Sequence, residues 1–146
     1  MKKISVNICA YNEAGTKKDV ATNVSDYFFD EIIVVNDGST DETDSGIKEL
    51  NLSCKFKYII LPENSGNGFA MAIGVEQAVN EIIVFINADL SNLQSEHIGQ
   101  LTSPLHILEA DLVLWQPTET LIDNKVNPFK PFTGQRALLN KIFCQF

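Results

Sequence analysis

With 146 residues, the chain is long enough to bury one hydrophobic core and too short for two well-formed domains. Hydrophobic residues make up 45% of it and charged residues 21%, a globular balance that excludes a disordered chain or a coiled coil. The net charge of −8 disfavours nucleic acid as a partner, so a phosphorylated ligand would need a cation or a local cluster of donors.

The cysteines and the N-terminal segment indicate where the protein acts. Cys9, Cys54 and Cys144 are odd in number and far apart, which predicts neither disulfides nor a zinc site and favours a reducing compartment. Asn7 and Asn12 interrupt the apolar run after the basic start, so we expect no secretion signal. No apolar run reaches the roughly 18 residues that span a bilayer. We therefore expect a cytoplasmic protein without a transmembrane segment, in which any membrane contact is peripheral and at the inner face.

Apolar runs that predict buried strands alternate with more polar, helix-like segments. The predicted strands cover residues 4–10, 31–36, 56–61, 81–87 and 111–115. A helix is predicted after the third strand, with an apolar face formed by Phe69, Ala72, Ile73 and Val79. Ser39 or Thr40 is predicted to cap another helix that begins near Asp41. This alternation predicts an α/β protein with a doubly wound, mainly parallel, Rossmann-like sheet.

The C-terminal part is less regular. Residues 116–132 are interrupted by prolines and show neither the helical nor the strand spacing of hydrophobic residues, which predicts a long loop. Arg136 follows a glycine at a predicted helix start, where it would bind a phosphate or simply lie on the surface. The apolar residues of that predicted short helix are Leu138, Leu139, Ile142 and Phe143.

Polar clusters follow four of the predicted strands, at the edge where ligands bind in open parallel sheets. The clusters are AYNE at 10–13, NDGSTDE at 36–42, ENSGNG at 63–68 and NADLS at 87–91. In a strand, Asn87, Asp89 and Ser91 project to one side and form a row of oxygen ligands, which Mg²⁺ and Mn²⁺ prefer. The alternative is that Asp89 or Ser91 only caps the next helix.

The other clusters also have two interpretations each. Asp37, followed by the turn-forming Gly38, would accept hydrogen bonds from a nucleoside, or the segment is a turn and a helix cap. Gly66 and Gly68 would expose backbone N–H groups to an anion, or they form a structural turn. Their spacing does not match a dinucleotide fingerprint, which argues against a nicotinamide oxidoreductase.

An aromatic side chain ends the first predicted strand. Tyr11 would stack on a base while Glu13 binds a sugar hydroxyl, or Tyr11 lies at the edge of the core. His97 and His106 have no partner at metal-ligand spacing and are interpreted as surface or core residues.

Taken together and in order, four segments resemble the family 2 glycosyltransferases, which have the GT-A fold. The segments are ISVNICAYNEAG, EIIVVNDGSTDET, ENSGNGFAMAIGVEQA and EIIVFINADLSN. The fourth segment and FTGQRAL are most similar to the polyprenyl-phosphate sugar transferases of the dolichyl-phosphate mannose synthase type. The resemblance covers residues 3–115 and 133–139.

The resemblance implies a metal-dependent, inverting transfer of a sugar from a nucleoside-diphosphate sugar. The nucleotide-sugar-binding positions that it implies are Ala10, Tyr11, Glu13, Asp37, Gly66, Gly68, Asn87 and Ala88. Mg²⁺ or Mn²⁺ would be bound by Asn87, Asp89 and Ser91, while Asp89 and Arg136 would be the catalytic residues. The acceptor would be a polyprenyl phosphate or a glycan.

Three amides depart from the family pattern. Asn36 and Asn87 stand where aspartate is common, and Asn67 stands where lysine is frequent, so we expect a weaker donor site and a lower metal affinity. The sequence also ends soon after residue 136. We therefore expect a single domain, with a nucleotide-sugar-binding part at residues 1–115 and a partial acceptor segment at 116–146.

No general base is evident, which favours an acceptor phosphate that is already ionised. The alternative function is a non-catalytic, truncated binding or assembly module. An incomplete end would leave apolar faces exposed, which favours a homo-oligomer.

Overall fold

The computed structural model describes residues 1–14, 29–50, 54–86, 95–114 and 136–140. The strands are β1 (Ile4–Ala10), β2 (Glu31–Asn36), β3 (Lys55–Ile60), β4 (Ile82–Ile86), β5 (Leu112–Leu114) and β6 (Arg136–Leu139). The helices are α1 (Thr43–Lys48), α2 (Asn67–Gln77) and α3 (Ser95–His106). The five predicted strands are confirmed, and no boundary differs from its prediction by more than one residue.

All six strands form one sheet in the order β3-β2-β1-β4-β6-β5. Strands β1 to β4 pair in parallel, and β6 runs antiparallel to both β4 and β5. The prediction of a mainly parallel α/β sheet is therefore confirmed. Because β1 to β4 are parallel, their carboxyl ends share one edge of the sheet, and β6 begins at that same edge.

Helices cover both faces of the sheet. On one face, Ile47 of α1 and Leu101 and Leu105 of α3 are buried against alternate residues of β1, β2 and β4. On the other face, Ala70 and Val75 of α2 are buried against the remaining residues of the strands. Since β1, β2 and β4 are buried on both faces, they appear in the sequence as largely continuous apolar runs.

Helix α2 lies unusually close to β1. A Cβ atom added to Gly74 would lie 2.1 Å from Nδ2 of Asn7, which is 1% exposed and donates a hydrogen bond to the Met71 carbonyl oxygen at 2.9 Å. The predicted apolar face of this helix is wrong, because Phe69 and Val79 are 50% and 63% exposed. A close approach requires small residues against the sheet, so a large side chain such as Phe69 is left outside.

A buried carboxylate closes the amino edge of the sheet. Glu31 is 0% exposed and accepts hydrogen bonds from the Ser5 hydroxyl at 2.7 Å and the Val79 N–H at 3.1 Å. Its other oxygen lies 3.1 Å from the Lys57 ammonium and 3.3 Å from that of Lys55. Burial raises the pKa of Glu31, but the hydrogen bonds from Ser5, Val79 and Lys57 outweigh burial and lower the pKa overall. The ionised side chain thus anchors the segment that follows α2.

Two local predictions are wrong. Neither Ser39 nor Thr40 caps α1; the residue before the helix is Glu42, and a side-chain oxygen of Asp41 accepts the Thr43 N–H at 3.0 Å. The predicted helix at Arg136 is instead strand β6, because pairing with β4 satisfies backbone groups that would otherwise remain unpaired along that strand.

The remaining C-terminal predictions, the loop at 116–132 and the helical positions Ile142 and Phe143, lie outside the described residues. Within the described residues, every helix is too short or too polar to cross a membrane. Leu112 and Leu114 of β5 are 49% and 59% exposed, and the predicted homo-oligomer stays a prediction.

Replacing Gly74 by alanine tests the close packing of α2. The new methyl group would displace the Asn7 side chain and break its bond to Met71, so we expect the free energy of unfolding to fall by about 1–3 kcal/mol. The control is Gly99→Ala in α3, where nothing lies within 4 Å and a gain of up to about 1 kcal/mol is expected. Equal effects of the two substitutions in chemical denaturation would contradict the packing.

Candidate functional site

The ends of β1, β2 and β3 meet at the carboxyl edge of the sheet. Hydrogen bonding between the strands continues past their ends, since the Asp37 N–H donates to the Ala10 carbonyl oxygen at 2.7 Å and the Leu61 N–H to that of Asn36 at 2.8 Å. Three predicted polar clusters are thereby brought together. The fourth cluster, with Asn87, Ala88, Asp89 and Ser91, lies outside the described residues.

The segment after β1 is bound to the segment after β2. The Asn12 N–H donates to the Ser39 hydroxyl oxygen at 3.0 Å, and the Thr40 N–H donates to Oδ1 of Asn12 at 2.8 Å. Asn12 has a φ of +48°, a region that residues other than glycine seldom adopt. These bonds hold the chain in that conformation as it leaves the sheet.

Two further hydrogen bonds extend this contact to the start of α1. The Glu13 N–H donates to the Thr43 hydroxyl oxygen at 3.0 Å, and the Ala14 N–H donates to Oδ2 of Asp41 at 3.2 Å. The Thr43 hydroxyl also donates to Asp41. The hydrogen bond from the Thr43 hydroxyl is the main cause that lowers the pKa of Asp41, so this carboxylate stays ionised and remains an acceptor.

Asp37 binds the segment after β3. The side chain is 3% exposed, and its two oxygens accept the backbone N–H groups of Ser65 at 2.8 Å and Gly66 at 2.9 Å. Gly38 has a φ of +67°, and a Cβ atom there would lie 2.4 Å from the carbonyl carbon of Glu63. The turn predicted after Asp37 therefore exists, and glycine is required because the next loop packs directly on it.

We call the hydrogen-bonded segments 10–14, 36–43 and 61–66 the exit frame. On this frame Tyr11 is 42% exposed, whereas the Ala10 side chain is 1% exposed and packs in the core. Gly66, with a φ of +92°, precedes α2, and the exposed Gly68 lies in the first turn of that helix. The first turn of α2 contains no acidic residue, as an anion site at a helix N-terminus requires.

Arg136 begins β6 at the same edge of the sheet, opposite Phe85 of β4 and Leu114 of β5. Its guanidinium carbon lies 6.0 Å from the centroid of the Phe85 ring, and Nε is buried without a hydrogen-bond partner among the described residues. Two strand spacings separate β6 from β1, which is roughly 10 Å. The structure thus places Arg136 near the exit frame, although on a strand rather than a helix.

Metal ligation by the predicted row is untested, because all three residues lie outside the described residues. Elsewhere in the described chain, no group of three or more His, Cys, Asp or Glu side chains is arranged to bind a metal ion. The donor set itself consists of carboxylate, amide and hydroxyl oxygens, which suit Mg²⁺ or Mn²⁺ better than zinc.

Sequence reasoning missed the residues that connect the segments of the frame. These are Asn12, Ser39, Asp41 and Thr43, and the density of short polar side chains after β1 and β2 was the available signal. The pairs that they form are 27 to 30 residues apart in sequence, so no local pattern specifies them.

The Asp37→Asn variant tests whether the carboxylate holds the loop before α2. The amide has one acceptor oxygen, so it can no longer serve both the Ser65 and Gly66 N–H groups. We expect the free energy of unfolding to fall by about 1–3 kcal/mol in chemical denaturation. The exposed Glu63→Gln is the matched control, and a loss no greater than in that variant would contradict this role.

Two solved structures with a similar fold contain bound nucleotide sugars. Glucosyl-3-phosphoglycerate synthase from Mycobacterium tuberculosis, in complex with Mn²⁺, UDP-glucose and phosphoglyceric acid, aligns over 96% of this chain and 57% of its own, with a TM-score of 0.71 and 24% identity. A mannosyltransferase from Pyrobaculum calidifontis, in complex with GDP-Man and Mn²⁺, aligns over 76% of this chain and 34% of its own, with a TM-score of 0.69 and 21% identity. These likenesses show a GT-A fold.

Curated relatives share more sequence over a shorter range. The chain is 36% identical over 88 residues to a poly-beta-1,6-N-acetyl-D-glucosamine synthase of Staphylococcus epidermidis, a match that covers 59% of this chain and 21% of that protein. The corresponding synthase of Staphylococcus aureus strain MSSA476 is 32% identical over 91 residues, a match that covers 61% of this chain and 22% of that protein. The chain thus spans about a fifth of these relatives. Residues 5–143 match the family model "Glycosyl transferase family 2", and the chain belongs to this family.

Proposed function

We propose that this chain is the donor-binding part of a glycosyltransferase, which takes a nucleoside-diphosphate sugar at the exit frame. The observation that carries the proposal is the frame itself, in which hydrogen bonds join three strand ends into one polar surface at the ligand-binding edge of the fold. The bound UDP-glucose and GDP-Man of the solved neighbours support this class of donor.

The nucleoside would lie against the ends of β1 and β2. Tyr11 is exposed enough to stack on a base, and Glu13 lies beside it with its backbone held by Thr43. Each Asp37 oxygen accepts one backbone N–H and can accept a second donor, such as a nucleobase or ribose group. Asp37 would therefore shape the frame and contact the nucleoside at the same time.

The diphosphate would lie between the start of α2 and the Asn87–Ser91 segment. Gly68, in the first turn of α2, would offer its backbone N–H group there, whereas the Gly66 N–H is already donated to Asp37. Asn87, Asp89 and Ser91 would bind Mg²⁺ or Mn²⁺, which when bound neutralises the charge of the diphosphate. The two solved neighbours hold Mn²⁺ with their nucleotide sugars. Because Asn87 is neutral, this set would bind the ion more weakly than a set with two carboxylates.

Transfer would proceed by direct displacement with inversion. An acceptor oxygen would attack the anomeric carbon while the bond to the diphosphate breaks, and the electron pair of that bond would leave with the diphosphate. Arg136 would orient an acceptor phosphate, whose ionised oxygen needs no general base. A polyprenyl phosphate fits this chemistry, whereas the named activity of the staphylococcal relatives favours a glycan acceptor.

The domain organisation belongs to the proposal as well. Residues 1–115 would form the nucleotide-sugar-binding part, with residues 116–146 contributing a loop and part of the acceptor side. A second candidate, a non-catalytic binding or assembly module, is favoured by the three amides.

Thermal unfolding with nucleotides and metal tests the donor site. UDP, GDP and their sugar conjugates are each added with Mn²⁺, Mg²⁺ or a chelator. A ligand at about 100 times its dissociation constant stabilises the fold by roughly 2.7 kcal/mol. We expect a metal-dependent shift with one base, lost in Asp89→Ala and kept in Glu109→Ala, an exposed carboxylate substitution beyond α3.

The controls separate the two candidate functions. If no nucleotide and metal combination shifts the unfolding temperature, the donor site is refuted and the binding module is favoured. A shift that survives Asp89→Ala would retain nucleotide binding and contradict the assignment of Asp89 to the metal.

A further inference from the structure

We propose that Asn36 is a positioning residue of the donor site: its amide holds Ser39, and through Ser39 it sets the conformation of Asn12 at the end of β1. Its effect on nucleotide binding rests on the proposed function. Its effect on the exit frame does not, because the frame can be observed without any ligand.

The orientation of the Asn36 amide follows from its contacts. Asn36 is the last residue of β2 and is 1% exposed. Its Oδ1 accepts the Ser39 backbone N–H at 2.9 Å. A backbone N–H can donate only to the oxygen of an amide side chain, so Nδ2 must point the other way. There it donates to the Tyr58 hydroxyl oxygen at 2.8 Å.

Tyr58 completes an ordered chain of donors and acceptors. Since its oxygen accepts from Asn36, its single proton is free to be donated to Oδ1 of Asp44, at 2.9 Å. Burial, together with the neighbouring carboxylate of Asp44, raises the pKa of Tyr58 to about 12, so the proton stays on the hydroxyl at neutral pH. The other oxygen of Asp44 accepts from the Lys48 ammonium at 2.7 Å, and this bond is the main cause that lowers the pKa of Asp44.

An amide at position 36 is the residue type that this chain requires. A carboxylate there would have no proton to donate to Tyr58, so two carboxylates would compete for one hydroxyl proton at a partly buried site. The amide was expected to weaken the donor site by removing an acceptor charge from the nucleoside. The side chain is instead buried and committed to Ser39 and Tyr58.

The link from Asn36 to the ligand-binding surface is short. Ser39, whose N–H is held by Asn36, uses its hydroxyl oxygen to accept the Asn12 N–H. Asn12 adopts a positive φ, which asparagine tolerates better than most residues, and its contacts with Ser39 and Thr40 help to hold it there. Tyr11 directly precedes it. Loss of the Asn36 contact therefore releases the turn that presents Tyr11.

The first test is the Asn36→Asp variant, followed by backbone amide exchange without ligand. A carboxylate at position 36 can still accept the Ser39 N–H, but it loses the bond to Tyr58 that fixes its orientation. We therefore expect exchange of the Asn12 and Thr40 amides to accelerate by about tenfold, the effect of losing roughly one hydrogen bond. The control is Ser5→Ala, which removes a buried hydrogen bond at the opposite edge and should leave these two amides unchanged. Tyr58→Phe should act in the same direction as Asn36→Asp while adding no charge, and it serves if the aspartate variant fails to fold.

The rescue variant combines Asn36→Asp with Asp44→Asn. In this pair the order reverses: the Tyr58 proton is donated to the carboxylate at position 36, and the amide at position 44 donates to the hydroxyl oxygen. We expect exchange at Asn12 and Thr40 to return most of the way to the wild-type rate. A general loss of stability would not be reversed by this second substitution, since it also removes the ion pair with Lys48.

Titration with UDP or GDP, each with Mn²⁺, completes the experiment. Asn36→Asp should weaken binding by about tenfold, and the double variant should recover it. Unchanged exchange in Asn36→Asp and Tyr58→Phe, no recovery in the double variant, or tighter binding by Asn36→Asp would each overturn the proposal. If the wild type binds neither nucleotide, the proposed function fails, while the exchange data still decide the role of Asn36 in the frame.

Discussion

The rest of the candidate site depends on the carboxylate of Asp37, which is buried where β2 ends and accepts two backbone N–H groups from the segment after β3. A buried carboxylate is costly unless it is fully hydrogen-bonded, so the loop before α2 is held in the one conformation that supplies both donors. Gly38 is required for the same reason, because the loop packs against its backbone. Asp37 thus links the position of α2 to the end of the central sheet.

The two edges of the sheet use buried carboxylates differently. At the amino edge, two lysines, a hydroxyl and a backbone N–H surround Glu31, which gives a closed network that ties strands to the end of α2. At the carboxyl edge, Asp37 is bound by neutral backbone groups, and the adjoining Tyr11 remains exposed. The first arrangement stabilises the fold, whereas the second leaves an aromatic and polar surface available to a ligand.

The central strands β1, β2 and β4 and the mainly parallel arrangement could be predicted because residues buried on both faces form continuous apolar runs. The packed face of α2 could not, because it depends on Asn7, a polar residue of β1 that admits only a glycine opposite it. Strand β6 was predicted as a helix because its short apolar sequence fits both the helical and the strand pattern of hydrophobic residues. Only its pairing with β4, which is distant in sequence, makes it a strand.

The strand ends were predictable as a polar edge, but the bonds between them were not. Asn12 and Ser39 are 27 residues apart, and nothing in the sequence indicates that they meet. Asn36 illustrates the same limit, since its amide is explained by Tyr58 and Asp44 rather than by its neighbours in sequence.

Amide exchange with and without a nucleotide tests most directly whether the exit frame binds the donor. The protein is compared alone and with UDP or GDP in the presence of Mn²⁺. We predict that one nucleotide slows exchange in residues 8–14, 36–43 and 61–68 by more than in residues 29–33 and 77–82 at the amino edge, where only the global stabilisation by the ligand acts. Equal slowing at the two edges, or no local change with a nucleotide that binds, would contradict this prediction.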